Sequence, residues 1–183
     1  MNPSSGFLAV TDFTTNQVYI VNGWREPTMS ITAPTAGDPG GGMSPDVVTP
    51  EPPAPLMMRY DGATGAVSSM GAGSKFEVVK DGFTGCWSSL RNSFLLHGGF
   101  AGYPLVYQKT LYEFIPSNPK YTTISDTGAA PSARYGHCLV EAYNGTKMVL
   151  FGGQGQSSAV LSDIYILDVE KMSWKAGKVW KER

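Results

Sequence analysis

The chain carries little charge and has no excess of one sign. Of its 183 residues, 14 are Lys or Arg and 15 are Asp or Glu, which gives a formal net charge of −1. With no basic run in the sequence, we expect neither nucleic acid nor an anionic membrane as a partner. No stretch reaches the roughly 18 apolar residues that span a bilayer. The N-terminal segment lacks the basic and apolar regions of a signal peptide, so we expect none there. We assign no cellular compartment from the sequence.

Cysteine is scarce, and the two that occur do not form an obvious pair. Cys86 and Cys138 fall in the opening strands of two similar segments. Aligning Gly85 with Gly136 places the two thiols one position apart, and neighbouring strand residues point to opposite faces. We therefore predict buried, unpaired thiols, because free cysteine behaves as a small apolar residue. A disulfide is the alternative.

Glycine, proline and aromatic residues are plentiful. The chain has 22 Gly, 13 Pro and 11% aromatic residues, a composition typical of short strands joined by tight turns. No window of 12 or more residues shows a helical period. In the hairpin signal Asn144-Gly145, both residues tolerate the positive φ of a type I′ turn. The sequence predicts an all-β domain.

Two segments, 85–127 and 136–178, repeat one another. Their Gly-Gly pairs, Gly98-Gly99 and Gly152-Gly153, lie 54 residues apart, and the closing aromatics Tyr121 and Trp174 lie 53 apart. A period near 50 is typical of a propeller blade, because one four-stranded unit cannot bury both of its faces alone. We place these blades at about 83–125 and 134–177.

A weaker copy precedes them at about 6–70. It is interrupted by an insertion, 25–55, that holds eight of the 13 prolines. Such composition predicts a disordered surface loop, with a partner-binding tongue as the alternative. At the other end, 178–183 is similar to the lead-in of a further blade.

The last unit resembles a kelch repeat. The residues that carry the resemblance, in order, are Arg134, Tyr135, Gly136, His137, Gly152, Gly153, Tyr165, Asp168 and Trp174. The resemblance implies that residues 1–183 form part of a kelch-type β-propeller of the galactose oxidase/kelch superfamily. About three four-stranded antiparallel blades would form an open arc.

The resemblance to kelch repeats also implies a function. It implies a non-catalytic scaffold that binds a protein, or a glycan, through loops at one end of the propeller, here 100–109 and 154–162. A fragment of a galactose-oxidase-like copper enzyme is the alternative, although none of the copper-binding tyrosines and histidines of such enzymes can be placed in this sequence. A third hypothesis is that the chain is the product of a remnant reading frame and has no independent function.

An open arc leaves two blade faces uncovered, about 600 Å² in total. Burial of that area would contribute on the order of 15 kcal/mol, which is comparable to the stability of a whole domain. Either further blades of a longer chain or other copies of this chain are therefore expected to cover the two faces. The sequence favours further blades of a longer chain.

Candidate site residues are few, and we assign no catalytic, cofactor-binding or metal-binding residue. We expect His97 and His137 to be partly buried and satisfied by backbone groups; with the two cysteines they form the alternative metal set. Arg134 is expected to make an ion pair or bind a loop carbonyl, and the alternative is a ligand-facing guanidinium. Asn144 begins the glycosylation sequon Asn-Gly-Thr.

Overall fold

The computed structural model describes residues 7–22, 57–70, 81–101 and 106–178. The predicted insertion 25–55 and residues 179–183 of the predicted lead-in lie outside the described residues. Every regular element within these ranges is a β-strand, so the all-β prediction is confirmed. No helix suited to crossing a membrane occurs in these ranges.

The first sheet has four antiparallel strands in sequential order. They are β1 (Phe7–Asp12), β2 (Gln17–Asn22), β3 (Met57–Asp61) and β4 (Val67–Ser69). Residues 25–55 therefore fall between β2 and β3, and these two strands pair despite the long separation in sequence.

The second sheet repeats this order. Its strands are β5 (Asp81–Ser88), β6 (Ser93–Ala101), β8 (Leu111–Ile115) and β9 (Asn118–Ile124), with the short β7 (Val106–Tyr107) paired to the end of β6. All seven residues from Ser93 to Gly99 are buried, because β6 lies in the middle sheet and both of its faces are covered.

The third sheet is built in the same way. Its four antiparallel strands are β12 (Cys138–Ala142), β13 (Lys147–Phe151), β15 (Ile164–Asp168) and β16 (Ser173–Ala176), and β10 (Thr127–Gly128) pairs parallel to β16. A separate small ladder joins β11 (Arg134–Tyr135) to β14 (Gln154–Gly155).

Ladder register corrects the sequence alignment of the opening strands. Thr84 pairs with His97 in the second sheet, and Cys138 pairs with Phe151 in the third. Thr84 and Cys138 are 54 residues apart, and so are His97 and Phe151, which is the spacing of the Gly-Gly pairs. Aligning Gly85 with Gly136 was therefore wrong by three residues. The glycine equivalent to Gly136 is Gly82, and both have positive φ, 63° and 67°.

The three sheets pack face to face in chain order, with β5 beside both β1 and β12. A first joint, between the first and second sheets, buries Val10, Tyr19, Val21, Met57, Trp87, Phe94, Leu96, Tyr112 and Phe114. A second joint, between the second and third sheets, buries Leu95, Leu111, Leu139, Met148, Leu150, Leu167, Val169, Met172 and Trp174. The alternation of strand side chains explains the division, since Phe94 and Leu96 face one joint and Leu95 faces the other.

Closing aromatics occupy equivalent places in the two joints. Trp174 is buried in the second joint, where its indole Nε1 donates a 2.6 Å hydrogen bond to Asp126. Tyr121 is half-buried against the first joint, and its ring centroid lies 4.8 Å from that of Phe114. Each closing aromatic thus faces the preceding sheet.

Candidate functional site

One end of the molecule collects the connections that follow β6 and β13 and the segment that precedes β12. We call it the loop end, and its described parts are 99–101, 106–110, 132–137 and 152–163. The opposite end carries hairpin turns, including the one at 143–146, because β12 and β13 run between the two ends.

Three aromatic rings meet at the loop end and connect the second and third sheets. Tyr135 packs edge-on to Phe100, with ring centroids 5.7 Å apart, and its centroid lies 5.0 Å from that of Tyr107. The Tyr135 hydroxyl also donates a hydrogen bond to the side-chain oxygen of Gln154. The rings are half-buried, so each has one part packed and one part open to solvent. We call these four residues the aromatic cluster.

Backbone hydrogen bonds hold the aromatic cluster in place. Arg134 N donates to Gln108 O over 3.1 Å, and Gln108 N donates to Gly99 O over 2.8 Å. Gly136 N donates to Gly82 O over 2.8 Å. Segments of both sheets are therefore tied together directly beneath the rings, and the surface is preorganised.

Burial and the neighbouring Tyr135 raise the pKa of Tyr107. The Tyr107 hydroxyl therefore stays protonated at neutral pH, and it can both donate and accept a hydrogen bond. Rigid rings with polar tips are the chemistry most enriched at protein–protein interfaces.

Arg134 lies under this surface rather than on it. Its side chain is fully buried and makes a two-pronged ion pair with Asp163, with N–O distances of 2.5 and 3.0 Å. The same guanidinium donates to Gly152 O over 2.9 Å and to both the carbonyl and the hydroxyl of Ser132. The hydrogen bond from Arg134 lowers the pKa of Asp163. The ligand-facing alternative for Arg134 is wrong, because its donors are used within its own unit.

The two histidines form a buried pair across the second joint. Nδ1 of His97 lies 3.0 Å from Nε2 of His137, and the side chains are 1% and 7% exposed. Nε2 of His97 and Nδ1 of His137 have no hydrogen-bond partner among the described residues. Each imidazole is the other's partner, which the prediction of backbone partners did not include, and a backbone group of Lys109 also acts on His97.

A short contact between two ring nitrogens needs one shared proton, so one imidazole donates and the other accepts. Burial lowers the pKa of His97 to about 3, and the charges of His137 and Arg134 act in the same direction. Burial and Arg134 lower the pKa of His137 to about 4. Both rings are therefore neutral at physiological pH.

Among the described residues, no three His, Cys, Asp or Glu side chains gather as metal ligands. The alternative set of Cys86, His97, His137 and Cys138 therefore does not assemble as a centre, although its two histidines meet.

Both cysteines are unpaired. Cys86 is half-buried, its Sγ lies 3.5 Å from Sδ of Met148, and burial raises the pKa of its thiol to about 12. Cys138 is exposed, so the prediction of a buried thiol is wrong there. The reason is that Cys138 lies on the outer face of the third sheet.

One glycine of each Gly-Gly pair, Gly98 and Gly153, lies against His137. Gly98, Gly99, Gly152 and Gly153 all have positive φ, between 68° and 95°. A Cβ on Gly98 would lie 2.6 Å from both Arg134 O and Cε1 of His137. Glycine is therefore needed here both for its conformation and for close approach.

Asn144 lies in the exposed hairpin turn at the end opposite the aromatic cluster. Asn144 and Gly145 have φ of 52° and 80°, and Thr146 N donates to Tyr143 O over 3.2 Å. Asn144 and Gly145 thus have the positive φ of the predicted type I′ turn, but Tyr143 also has a positive φ of 51°, and the ladder ends at Ala142 and Lys147, so the loop has four residues rather than two. The sequon is accessible there, and its glycosylation stays a prediction.

Sequence reasoning missed the aromatic cluster and the histidine pair, because both join residues of different repeats. One signal could have pointed to the pair. His97 occupies the position that Phe151 has in the next repeat, and a histidine at an apolar joint position needs a polar partner from the facing sheet.

No family model matches the chain. Part of it is similar to acyl-CoA-binding domain-containing protein 6 of Oryza sativa subsp. japonica, with 35% identity over 65 residues. That match covers 36% of this chain and 10% of the rice protein. The matched segment is thus a small part of a much longer relative.

Proposed function

We propose that the chain is a kelch-type propeller segment of three blades and that it serves as a non-catalytic scaffold for a protein partner. Support for the blade assignment comes from three four-stranded antiparallel sheets with the same strand order. Further support comes from two joints that use equivalent strand positions. Positive-φ Gly-Gly pairs recur at the same place in two of the three units.

The aromatic cluster is the observation that carries the binding proposal. Phe100, Tyr107 and Tyr135 present half-open rings from two adjoining blades, and hydrogen bonds fix them in place. Preorganised aromatic rings lose little conformational entropy on binding, which is why such residues dominate interface energies.

Catalysis has less support than binding. Arg134 is committed to an internal contact with Asp163, and His97 and His137 are committed to each other. No specific observation favours the copper-enzyme alternative. The rice relative's name refers to acyl-CoA, but the matched part is a tenth of that protein, so we do not extend that ligand to this chain.

A matched pair of tyrosine variants tests the proposal. Immobilised wild-type chain, Tyr107→Ala and Tyr143→Ala would each be used to enrich partners from extract of the source cells, with quantitative mass spectrometry. Tyr143 is the control, because it is 74% exposed at the opposite end. We expect a partner set that Tyr107→Ala loses and Tyr143→Ala keeps.

Two further results bear on the partner's class. Enrichment that survives enzymatic deglycosylation of the extract supports a protein surface as the ligand, whereas its loss supports a glycan. If the Tyr107→Ala and wild-type profiles are the same, the aromatic cluster is not the binding surface and the proposal fails.

A further inference from the structure

The two outermost sheet faces carry exposed apolar side chains, and no other described sheet covers them. On the outer face of the third sheet, Val140 and Phe151 are 47% and 51% exposed. On the outer face of the first sheet, Tyr60 and Val67 are 38% and 64% exposed. We call the outer face of the third sheet the front face and the outer face of the first sheet the back face. The ladder registers show what the same positions do elsewhere in the molecule.

Back-face positions are buried wherever a preceding sheet is present. Tyr60 pairs with Val67 as Phe114 pairs with Tyr121 and as Leu167 pairs with Trp174. Phe114 and Leu167 are only 3% and 0% exposed. The back face therefore has the pattern of a face that packs against a preceding blade.

Front-face positions behave in the same way. Phe151 is equivalent to His97 and to Val21, since all three occupy the same ladder position of the second strand in their sheets. His97 and Val21 are 1% and 0% exposed, against 51% for Phe151. The front face has the pattern of a face that packs against a following blade.

The second joint also shows which residues of the two faces would meet. There His97 lies against Trp174, with ring centroids 5.7 Å apart. His97 is the equivalent of Phe151, and Trp174 is the equivalent of Val67. A joint of the same geometry between a front face and a back face would therefore place Phe151 against Val67.

We propose that two copies of this chain close head to tail into a six-bladed ring, with each front face on the other copy's back face. The three described sheets of two copies would give six blades, which lies within the 4–8 that propellers typically have, whereas three copies would give nine. The inference rests on the propeller assignment above.

Area is consistent with a stable dimer. A face of four strands spaced about 4.8 Å apart and about 17 Å long covers roughly 300 Å². Two joints would bury about 1,200 Å² in total, which reaches the lower limit of a specific interface. The ring has two-fold symmetry and leaves neither face open, so the assembly ends at two copies.

Sedimentation equilibrium of the purified chain is the test. We expect a mass of twice 19.6 kDa and expect Phe151→Glu to reduce it to 19.6 kDa. Val160→Glu is the matched control, because Val160 is 87% exposed in the loop after β14, and it should stay dimeric. Circular dichroism would establish that each variant keeps its β-structure.

A mixing experiment tests the head-to-tail arrangement. Val67→Lys alone should also give a monomer, because its back face is damaged. Mixing it with Phe151→Glu should restore the dimer, since one joint then pairs Glu with Lys and the other joint is wild type. A face-to-face dimer would not be restored in this way.

Several outcomes would overturn the proposal. They are a monomeric wild-type chain, an open polymer, or a folded dimer that Phe151→Glu leaves intact. A monomer would show that another chain or further blades cover the faces. Partner enrichment by the loop end does not depend on this result, so failure of the ring and failure of the binding proposal are distinguishable.

Discussion

At the scale of single residues, the most constrained groups lie around the second joint. His97, His137 and Arg134 are all buried, and each is held by a specific contact. Buried polar groups of this kind stabilise the fold while every partner is present in its proper charge state. They destabilise it strongly when one partner is removed or changes its charge.

The histidine pair predicts a loss of stability in mild acid. Both native pKa values, about 3 and about 4, lie below the value of 6.5 that applies when the chain is unfolded. The unfolded chain therefore binds more protons as pH falls below about 6.5, and each histidine costs up to about 1.4 kcal/mol per pH unit. Urea unfolding across this window should show a fall of about 2 kcal/mol or more between about pH 6 and about pH 4.5.

Replacing His97 by the residue of the next repeat provides the comparison. His97→Phe removes one of the two titrating groups, so the slope of stability against pH should be roughly halved. If the wild type and the variant have the same slope, the histidine pair is not the source of the acid sensitivity.

Arg134→Lys should destabilise the chain by about 2–4 kcal/mol, because one ammonium cannot replace the planar fork that serves Asp163, Gly152 and Ser132. Lys147→Ala is the control, since it breaks the partly exposed Lys147–Asp168 pair and should barely move the unfolding midpoint. Equal effects of the two substitutions would contradict the structural role of Arg134.

At the scale of elements, short strands with matched turns define each sheet. Strand order, the Asn144-Gly145 turn and the Gly-Gly positions could be predicted from sequence, because turn residues and alternating apolar residues act locally. Contacts between sheets could not, since they depend on which strand positions face each other. The three-residue error at Gly85 is an example. The sequence alignment matched Gly85 to Gly136 because both are glycine, whereas the strand pairing makes Gly82 the equivalent of Gly136.

Glycine substitutions at the joint test the role of close approach. Gly98→Ala should cost about 3 kcal/mol or more, because its Cβ would contact Arg134 O and His137 and its φ is positive. Gly136→Ala has a similar φ of 63° but nothing within 4 Å of the added Cβ, so about 1 kcal/mol is expected. Chemical denaturation of both variants measures the difference, and equal losses would mean that crowding at Gly98 is unimportant.

At the scale of the whole molecule, the same joint is used twice and two of its faces remain open. The middle sheet has both faces buried, whereas the first and third sheets each have one. From the sequence, the repeat predicts an open arc, because three blades cannot close a ring, and the arc stays a prediction. The identity of the exposed residues, such as Phe151 and Val67, became clear only from the ladder registers.

Cysteine labelling tests the central claim, that the front face is a joint face, most directly. Cys138 lies on that face beside Phe151, while Cys86 is half-buried inside the second joint, with a thiol pKa of about 12. We would measure the iodoacetamide reaction rate of each thiol in the native wild type and in Phe151→Glu. The account predicts a slow Cys138 in the wild type, a fast Cys138 in the variant and an unreactive Cys86 in both. A Cys138 that reacts equally fast in the two proteins would contradict it.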